Sequence, residues 1–471
     1  MSDRRVFRWA TTSARILAAT VASAVAVVAV VTAVSLPWPT VVREPVRLSA
    51  TPAPAATVIA CDGGLLAVGR NPEDAAQIAE ATTQQLTTGV AEGAPAPEET
   101  RLTAPELSSG EGAAVFTAPP QGRARTDVAA SGSSSVVADD IAGFAASACR
   151  PALMESWLVG GSAATGAADI VVLSNPGAVP ATVQLTTYGA SGALAPEGGA
   201  DVVVAPGTQR FVPLAGLVLG EAAPVIRVSA VGAPVRASLQ ASITRTLTPG
   251  GVDQVGAVPA PEAAQTIAGV TVTTSAAPGE SDATTVLRVL SPAVAATATV
   301  TVTEVGSSEP AIAPQALPLA AAQPAELELG GLPAGTYIVD VTADQPVVSA
   351  VWQTTGFDEG SDFAWYEASP SVTVPSLFAT PPGPPPLLTL VNPSSDPAVV
   401  SLTSQDQSFR LEVTVPALGS TPVRLAPDEV YSFAPDASGI RAGLSLTSDS
   451  GLAGFPLWPA DAAAPPIVVY P

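Results

Sequence analysis

Two segments far apart in the chain carry one pattern. Ile170-Val171-Val172-Leu173-Ser174-Asn175-Pro176 is followed by Pro180-Ala181-Thr182-Val183-Gln184-Leu185-Thr186, and Leu388-Thr389-Leu390-Val391-Asn392-Pro393 by Pro397-Ala398-Val399-Val400-Ser401-Leu402-Thr403. In both, an apolar run ends in Asn-Pro, three residues intervene, and Pro-Ala opens an alternating run. A weaker copy lies between them, with Val286 to Leu290 leading into Ser291-Pro292 and then Val300-Thr301-Val302-Thr303. A later element recurs too: Pro234-Val235-Arg236-Ala237-Ser238-Leu239 matches Pro346-Val347-Val348-Ser349-Ala350-Val351. Matched copies about 100 residues apart call for tandem units of one kind rather than one large sheet. Each unit holds short β-type runs punctuated by Gly and Pro with almost no helical periodicity, which is the pattern of a β-sandwich. Asn-Pro is expected to act as a turn, because the residue before Pro is pushed out of the α region and Pro stops the ladder. All three asparagines precede prolines, so there is no N-glycosylation sequon.

A second feature divides the chain. Ile16 to Leu36 is an uncharged, mostly apolar run of 21 residues with Arg4, Arg5, Arg8 and Arg15 before it. At about 1.5 Å per residue it can cross a hydrocarbon core of roughly 30 Å as a helix. The arginines favour a cytoplasmic N-terminus, which places everything from about Pro37 outside. The run exceeds the 7–15 apolar residues usual in a signal-peptide core. Pro37-Trp38-Pro39 follows, with Trp38 suited to the outer interface, so the segment reads as a retained anchor rather than a cleaved signal. No second run of comparable length occurs, and the expected topology is single-pass.

The expected fold is therefore all-β: tandem Ig-like β-sandwich domains after one N-terminal transmembrane helix. Its parts are a cytoplasmic tail over 1–15, the helix over 16–36, a spacer over 37–56, and three sandwiches over 57–257, 258–374 and 375–471. The last ends in the strand-like Ile467 to Tyr470. Within the first, Asn71-Pro72-Glu73-Asp74 offers a capping Asn, Pro at the first helical position and acids at the positive end of the dipole, so a helix to about Leu86 is predicted. Residues 91–135, rich in small and polar types, read as a mobile low-complexity insertion.

Composition excludes several functions. Of 471 residues, 47% are hydrophobic, 4% aromatic and 13% charged, and the net charge is −22. Beyond the N-terminal arginines 15 arginines face 40 acids, a net of −25 that repels nucleic acid and anionic headgroups. There is no lysine and no histidine. Ser–His and Cys–His nucleophile systems, Schiff-base chemistry and the phosphate-loop lysine are thereby ruled out. No Gly-x-Ser-x-Gly elbow or dinucleotide fingerprint is present. Two cysteines cannot build a structural zinc site, and no metal or cofactor is expected. Cys61 and Cys149 both lie on the outer, oxidising side, which favours a disulfide.

The span from the first cysteine onward resembles an uncharacterised family of actinobacterial membrane-anchored proteins grouped under a domain of unknown function. The shared features are the anchor, a Cys soon after it, and Cys149 just before Trp157-Leu158-Val159-Gly160. The strand ending in Asn175-Pro176 and the turn at Pro206-Gly207 complete them. The resemblance covers roughly residues 57–471, departs at the insertion, and implies location and architecture without an activity.

Carboxylates are the remaining chemistry. Glu98-Glu99 reads as solvated and Asp139-Asp140 as a turn. Phe357 to Glu367 (FDEGSDFAWYE) concentrates four acids and four aromatics in a chain short of aromatics. Trp and Tyr faces bind sugar rings and acids accept sugar hydroxyls, so Asp358, Asp362, Trp365, Tyr366 and Glu367 are the candidate ligand-binding residues. The competing reading is a long hairpin whose aromatics cover the end of the second sandwich or its contact with the third. Trp157 reads as a core anchor. The expected function is a non-enzymatic cell-envelope scaffold or docking module for envelope proteins or glycans. The alternative is a carbohydrate-active enzyme with paired carboxylates.

Overall fold

The computed structural model describes residues 3–35, 48–50, 54–70, 73–74, 76–122, 124–274, 284–436, 439–448, 451–460 and 467–469. They fall into two units, one of Met1–Pro52 with Pro466–Pro471 and one of Ala53–Pro465. The first unit contains an α-helix, Asp3–Ser35, in which Ser13–Thr32 has a mean hydropathy of 2.2 and exposed side chains. It also contains Leu48–Ala50 paired antiparallel with Ile467–Val469. The C-terminal strand thus pairs with residues of the predicted spacer rather than with the last sandwich. Leu36 and most of the spacer lie outside the described residues.

The larger unit repeats one strand order three times. The first set runs Glu155–Val159, Ile170–Asn175, Ala181–Gly189, Val202–Val204, Thr208–Pro213, Val225–Val231, Arg236–Arg245 and Thr248–Val255. Numbered 1 to 8 within the set, they pair antiparallel as 1-6-3-4 in one sheet and 5-2-7-8 in the other. The second set is Glu262–Val272, Thr285–Leu290, Ala296–Glu304, Gln315–Leu319, Ala325–Glu328, the 20-residue Gly335–Thr354 serving as strands 6 and 7, and Phe363–Glu367. The third is Ser376–Thr380, Leu387–Asn392, Ala398–Ser404, Arg410–Val415, Gly419–Arg424, Glu429–Pro435, Ile440–Ser448 and Gly451–Pro456. Both keep the same order. The order differs from the ABED-over-CFG pairing of immunoglobulin domains, because here the last two strands join the sheet of strands 2 and 5.

Periodicity explains which strand goes where. Strand 3 of the second set, Ala296–Glu304, alternates buried and outward residues, as expected of a sheet with one face on a core. Strand 2 of the first set opens with the unbroken apolar run Ile170 to Leu173 because it is covered on both faces. Val171 and Leu173 enter the core shared by the two sheets of the first set, while Ile170 and Val172 meet Leu66, Ile78 and Phe211. Trp157 is in the same shared core, 3% exposed.

The Asn-Pro motif does more than turn the chain. Asn175, wholly buried, donates from Nδ2 to the carbonyls of Val179 (2.8 Å) and Val204 (3.0 Å) and accepts the Gly177 N–H at Oδ1 (3.0 Å). Asn392 repeats this with Asp396 (2.7 Å), Val415 (3.3 Å) and the Ser394 N–H (3.0 Å). One amide therefore fastens the 2–3 turn to the end of strand 4. In the weaker copy Ser291 keeps only the turn, donating from Oγ to the Val294 carbonyl at 2.6 Å.

Strands preceding the first set form three small sheets: Thr57–Ala60, Ala114–Ala118 and Glu98–Arg101; Leu65–Val68 and Ile78–Thr82; Gln85–Val90, Val128–Val137 and Ala142–Ala148. Two sequence expectations are corrected here. The helix predicted to about Leu86 is replaced by Ile78–Thr82 and Gln85–Val90; its proposed cap, Asn71-Pro72, lies outside the described residues. Strand partners on either side outweigh a good N-terminal signal in a segment with β-branched Thr82, Thr83, Thr87 and Thr88. The stretch 91–135, expected to be a mobile loop, carries three of these strands. Its small residues pack closely: a Cβ added at Gly132 would lie 2.4 Å from the Gln84 side chain. Glu98 and Glu99 are exposed, as expected.

Cys61 and Cys149 are disulfide-bonded and buried in the core between the first and third of these small sheets. Closing an 88-residue separation stabilises the fold by about 4–5 kcal/mol in the chain-entropy picture. Asn392→Ala should destabilise by about 2–3 kcal/mol, since buried carbonyls and an N–H lose their partner, whereas Glu359→Ala, at an exposed turn position, should cost under about 0.5 kcal/mol. Urea unfolding of both variants checks this; equal effects would contradict the fastening role.

Candidate functional site

Four strands converge inside the larger unit. Ala142–Ala148 and the eighth strands of the three sets, Thr248–Val255, Phe363–Glu367 and Gly451–Pro456, pack one against the next in a ring. No ladder joins them, so their amides at the point of closest approach need another acceptor. Asp362, fully buried, supplies it. Its Oδ2 accepts the N–H of Phe144 at 2.9 Å and of Leu452 at 3.2 Å, and its Oδ1 that of Val252 at 3.2 Å. Each amide follows a glycine: Gly143, Gly251 and Gly451. A Cβ at Gly143 would lie 2.6 Å from Asp362 Oδ1, and one at Gly251 2.8 Å from it, and both glycines have positive φ, 146° and 120°. Only at the fourth corner does a side chain occupy the centre.

The remaining predicted residues follow from β alternation. Phe363 and Trp365 face the core of the first set, and Ala364 and Tyr366 that of the second. The Trp365 N–H donates to Asp253 Oδ2 at 2.7 Å. Tyr366 packs where Gly454 leaves room. Glu367, 2% exposed, accepts the Gly256 N–H and lies 3.9 Å from Arg150. Asp358 sits apart, exposed in the hairpin turn. The five candidates therefore do not form one surface. Four are buried, Asp362 just before the strand and the other three on its two faces, and the hairpin joins the second set to the first.

Each cysteine is followed by a buried charge. Asp62 pairs with Arg236 at 2.9 Å, and Arg150 with Glu367, its guanidinium also lying 4.8 Å from the Trp458 ring and donating to the Ala257 carbonyl at 3.2 Å. Burial pushes Arg150 down to about 10 against the pull of Glu367. A charge set inside an apolar strand, as in Val235-Arg236-Ala237, Val252-Asp253-Gln254 or Leu287-Arg288-Val289, is the sequence signal that marks these residues.

Beside the hub, between the first and second sets, is a cavity of about 230 Å³. Trp352, Phe363 and Trp365 form its aromatic wall, and Asp169, Arg288 and Glu326 are its charged groups. Asp169 accepts the N–H groups of Ser162 (2.6 Å) and Ser242 (2.9 Å). Arg288 packs over the Trp365 ring at 4.7 Å. Among the described residues no group of three or more Cys, Asp or Glu side chains is placed to hold a metal ion.

Burial pushes the carboxyls of Asp362 and Asp169 up to about 7, against their backbone hydrogen bonds, and that of Asp127 up to about 6. The folded chain therefore binds protons more tightly than the unfolded one. The resulting stabilisation is complete below the ordinary carboxyl value of 3.8, declines as pH rises from about 4, and is lost above about 7. For one such group it is on the order of 4 kcal/mol. Thermal melting should give a higher Tm at pH 5 than at pH 8, and Asp362→Asn should shrink that difference; a Tm that climbs from pH 5 to pH 8 would contradict it.

Comparison with known proteins places the chain by family. No curated protein matches it. The model of a family of unknown function, DUF5719, matches residues 104–414, a span that takes in three of the four hub strands and runs into the third set. The chain belongs to the DUF5719 family of unknown function.

Proposed function

We propose that the protein is a single-pass, membrane-anchored scaffold whose β-rich body lies outside the cytoplasm and docks envelope proteins or glycans. The three strand sets act in this reading as tandem β-sandwich modules with their own strand order. The observation that carries the proposal is the use made of the acids. Asp169, Asp253, Asp362 and Glu367 are buried and each accepts backbone N–H groups that tie strands and loops together. A glycosidase instead holds two carboxyl groups facing one cleft across a bound sugar. Among the described residues the carboxylates on the cavity wall are Asp169 and Glu326, and the ion pair with Arg288 at 2.9 Å holds Glu326 as a hydrogen-bond acceptor rather than a proton donor.

Placement outside the cytoplasm is supported by the exposed apolar helix segment Ser13–Thr32, the preceding arginines and the Cys61–Cys149 bond. Cells expressing the full chain, fractionated and treated with protease before lysis, should retain the protein in the membrane fraction and lose the β-rich body to the protease. Thiol labelling under denaturation should find both cysteines oxidised. Recovery of the intact chain in the cytosol with two free thiols would overturn the proposal.

A further inference from the structure

Building on that docking reading, we infer that the cavity between the first and second strand sets is a binding site for one neutral pyranose ring, the end unit of a glycan. The sugar packs on Trp352 and hydrogen-bonds to Asp169 and Glu326. Size sets the first limit. At about 230 Å³ the cavity is smaller than the roughly 300–1,000 Å³ of sites that enclose a drug-sized molecule, so a single ring-sized group enters.

Charge sets the second limit. A guanidinium has five N–H donors, and those of Arg288 are all engaged. Nε and Nη2 bond Glu326 (3.0 and 2.9 Å), Nη1 bonds the carbonyls of Gly161 and Pro224 (2.9 Å each), and Nη2 also bonds that of Ala222 (3.5 Å). No donor fork is left for a phosphate or carboxylate, so the occupant is not an anion. The acceptors have capacity to spare. Asp169 takes one N–H on each oxygen, and both Arg288 bonds fall on Oε1 of Glu326. A carboxylate oxygen has about two acceptor positions, so the wall calls for a ligand that brings hydroxyl protons. Ser162 accepts the Ala164 N–H at Oγ (3.1 Å), which leaves its own proton for a ligand oxygen.

The aromatic wall supplies the apolar complement. Trp365 is covered on one side by Arg288 and is only 5% exposed, whereas Trp352 is half-buried, with the tilted rings of Phe357 and Phe363 centred 6.5 and 6.2 Å away. Trp352 is therefore the platform, and the candidate Trp365 is the packed wall behind it. A ring with C–H groups on one face and several hydroxyls around its rim matches an aromatic platform flanked by hydrogen-bond acceptors.

The test uses the full chain in a polyoxyethylene detergent, titrated with the methyl pyranosides of glucose, galactose and mannose and with tetramethylammonium, and read by saturation-transfer NMR. At least one pyranoside should bind saturably, with transfer strongest to its ring C–H protons. Trp352→Ala and the cavity-filling Val286→Trp, each first shown to melt cooperatively, should weaken it about tenfold or more. No saturable pyranoside, tighter binding of tetramethylammonium, or unchanged affinity in both variants would overturn the inference. None of those results alters the fractionation outcome, so failure of the sugar site and failure of the extracytoplasmic placement are read separately.

Discussion

A single carboxylate is held where four strands meet. Asp362 accepts amides from Ala142–Ala148, Thr248–Val255 and Gly451–Pro456 while itself preceding Phe363–Glu367. These strands come from four parts of the chain and share no ladder, so their convergence would otherwise leave buried N–H groups unpaired, at about 1–3 kcal/mol each. Glycine at three corners and aspartate at the fourth resolves the conflict between close backbone approach and hydrogen-bond satisfaction. The arrangement is asymmetric although three of the strands are equivalent eighth strands, and it gives the second set a role the other two do not share.

The disulfide and the buried ion pairs extend this constraint outward. Cys61–Cys149 fixes the small N-terminal sheets, and the residues that follow each cysteine carry the charges that engage Arg236 and Glu367. Buried ion pairs add little net stability compared with apolar packing, but removing one partner is strongly destabilising. Here they join the N-terminal strands to the first and second sets. That arrangement positions the Phe363–Glu367 strand, and with it the aromatic wall of the cavity.

The repeats were legible in the sequence because they are local. Alternation in Ala296–Glu304, the apolar run that opens strand 2 at Ile170 and the Asn-Pro motif are all set within a few residues of chain. Even there the reason was only half visible: Asn175 and Asn392 act through side-chain bonds to strand 4, beyond the turn that Pro imposes. The disulfide followed from compartment alone. What the sequence hid depends on contacts between distant segments. Gly143, Gly251 and Gly451 gain a shared meaning only once their strands meet. The strands within 91–135 were obscured because small residues read equally as loop and as tightly packed sheet. The acidic aromatic stretch Phe357 to Glu367 was a true signal of importance, but most of its side chains turn inward, and the open ring beside it, Trp352, lies on the preceding strand.

The scaffold reading thus rests on acids that organise backbone, with one cavity left at the seam they create. Hydrogen exchange of the full chain, followed by mass spectrometry at peptide resolution, tests the central claim most directly. The amides of Phe144, Val252 and Leu452 should exchange together and as slowly as the slowest strands of the body, since all three open only when Asp362 leaves its place. Fast or mutually independent exchange at these three amides would contradict the account.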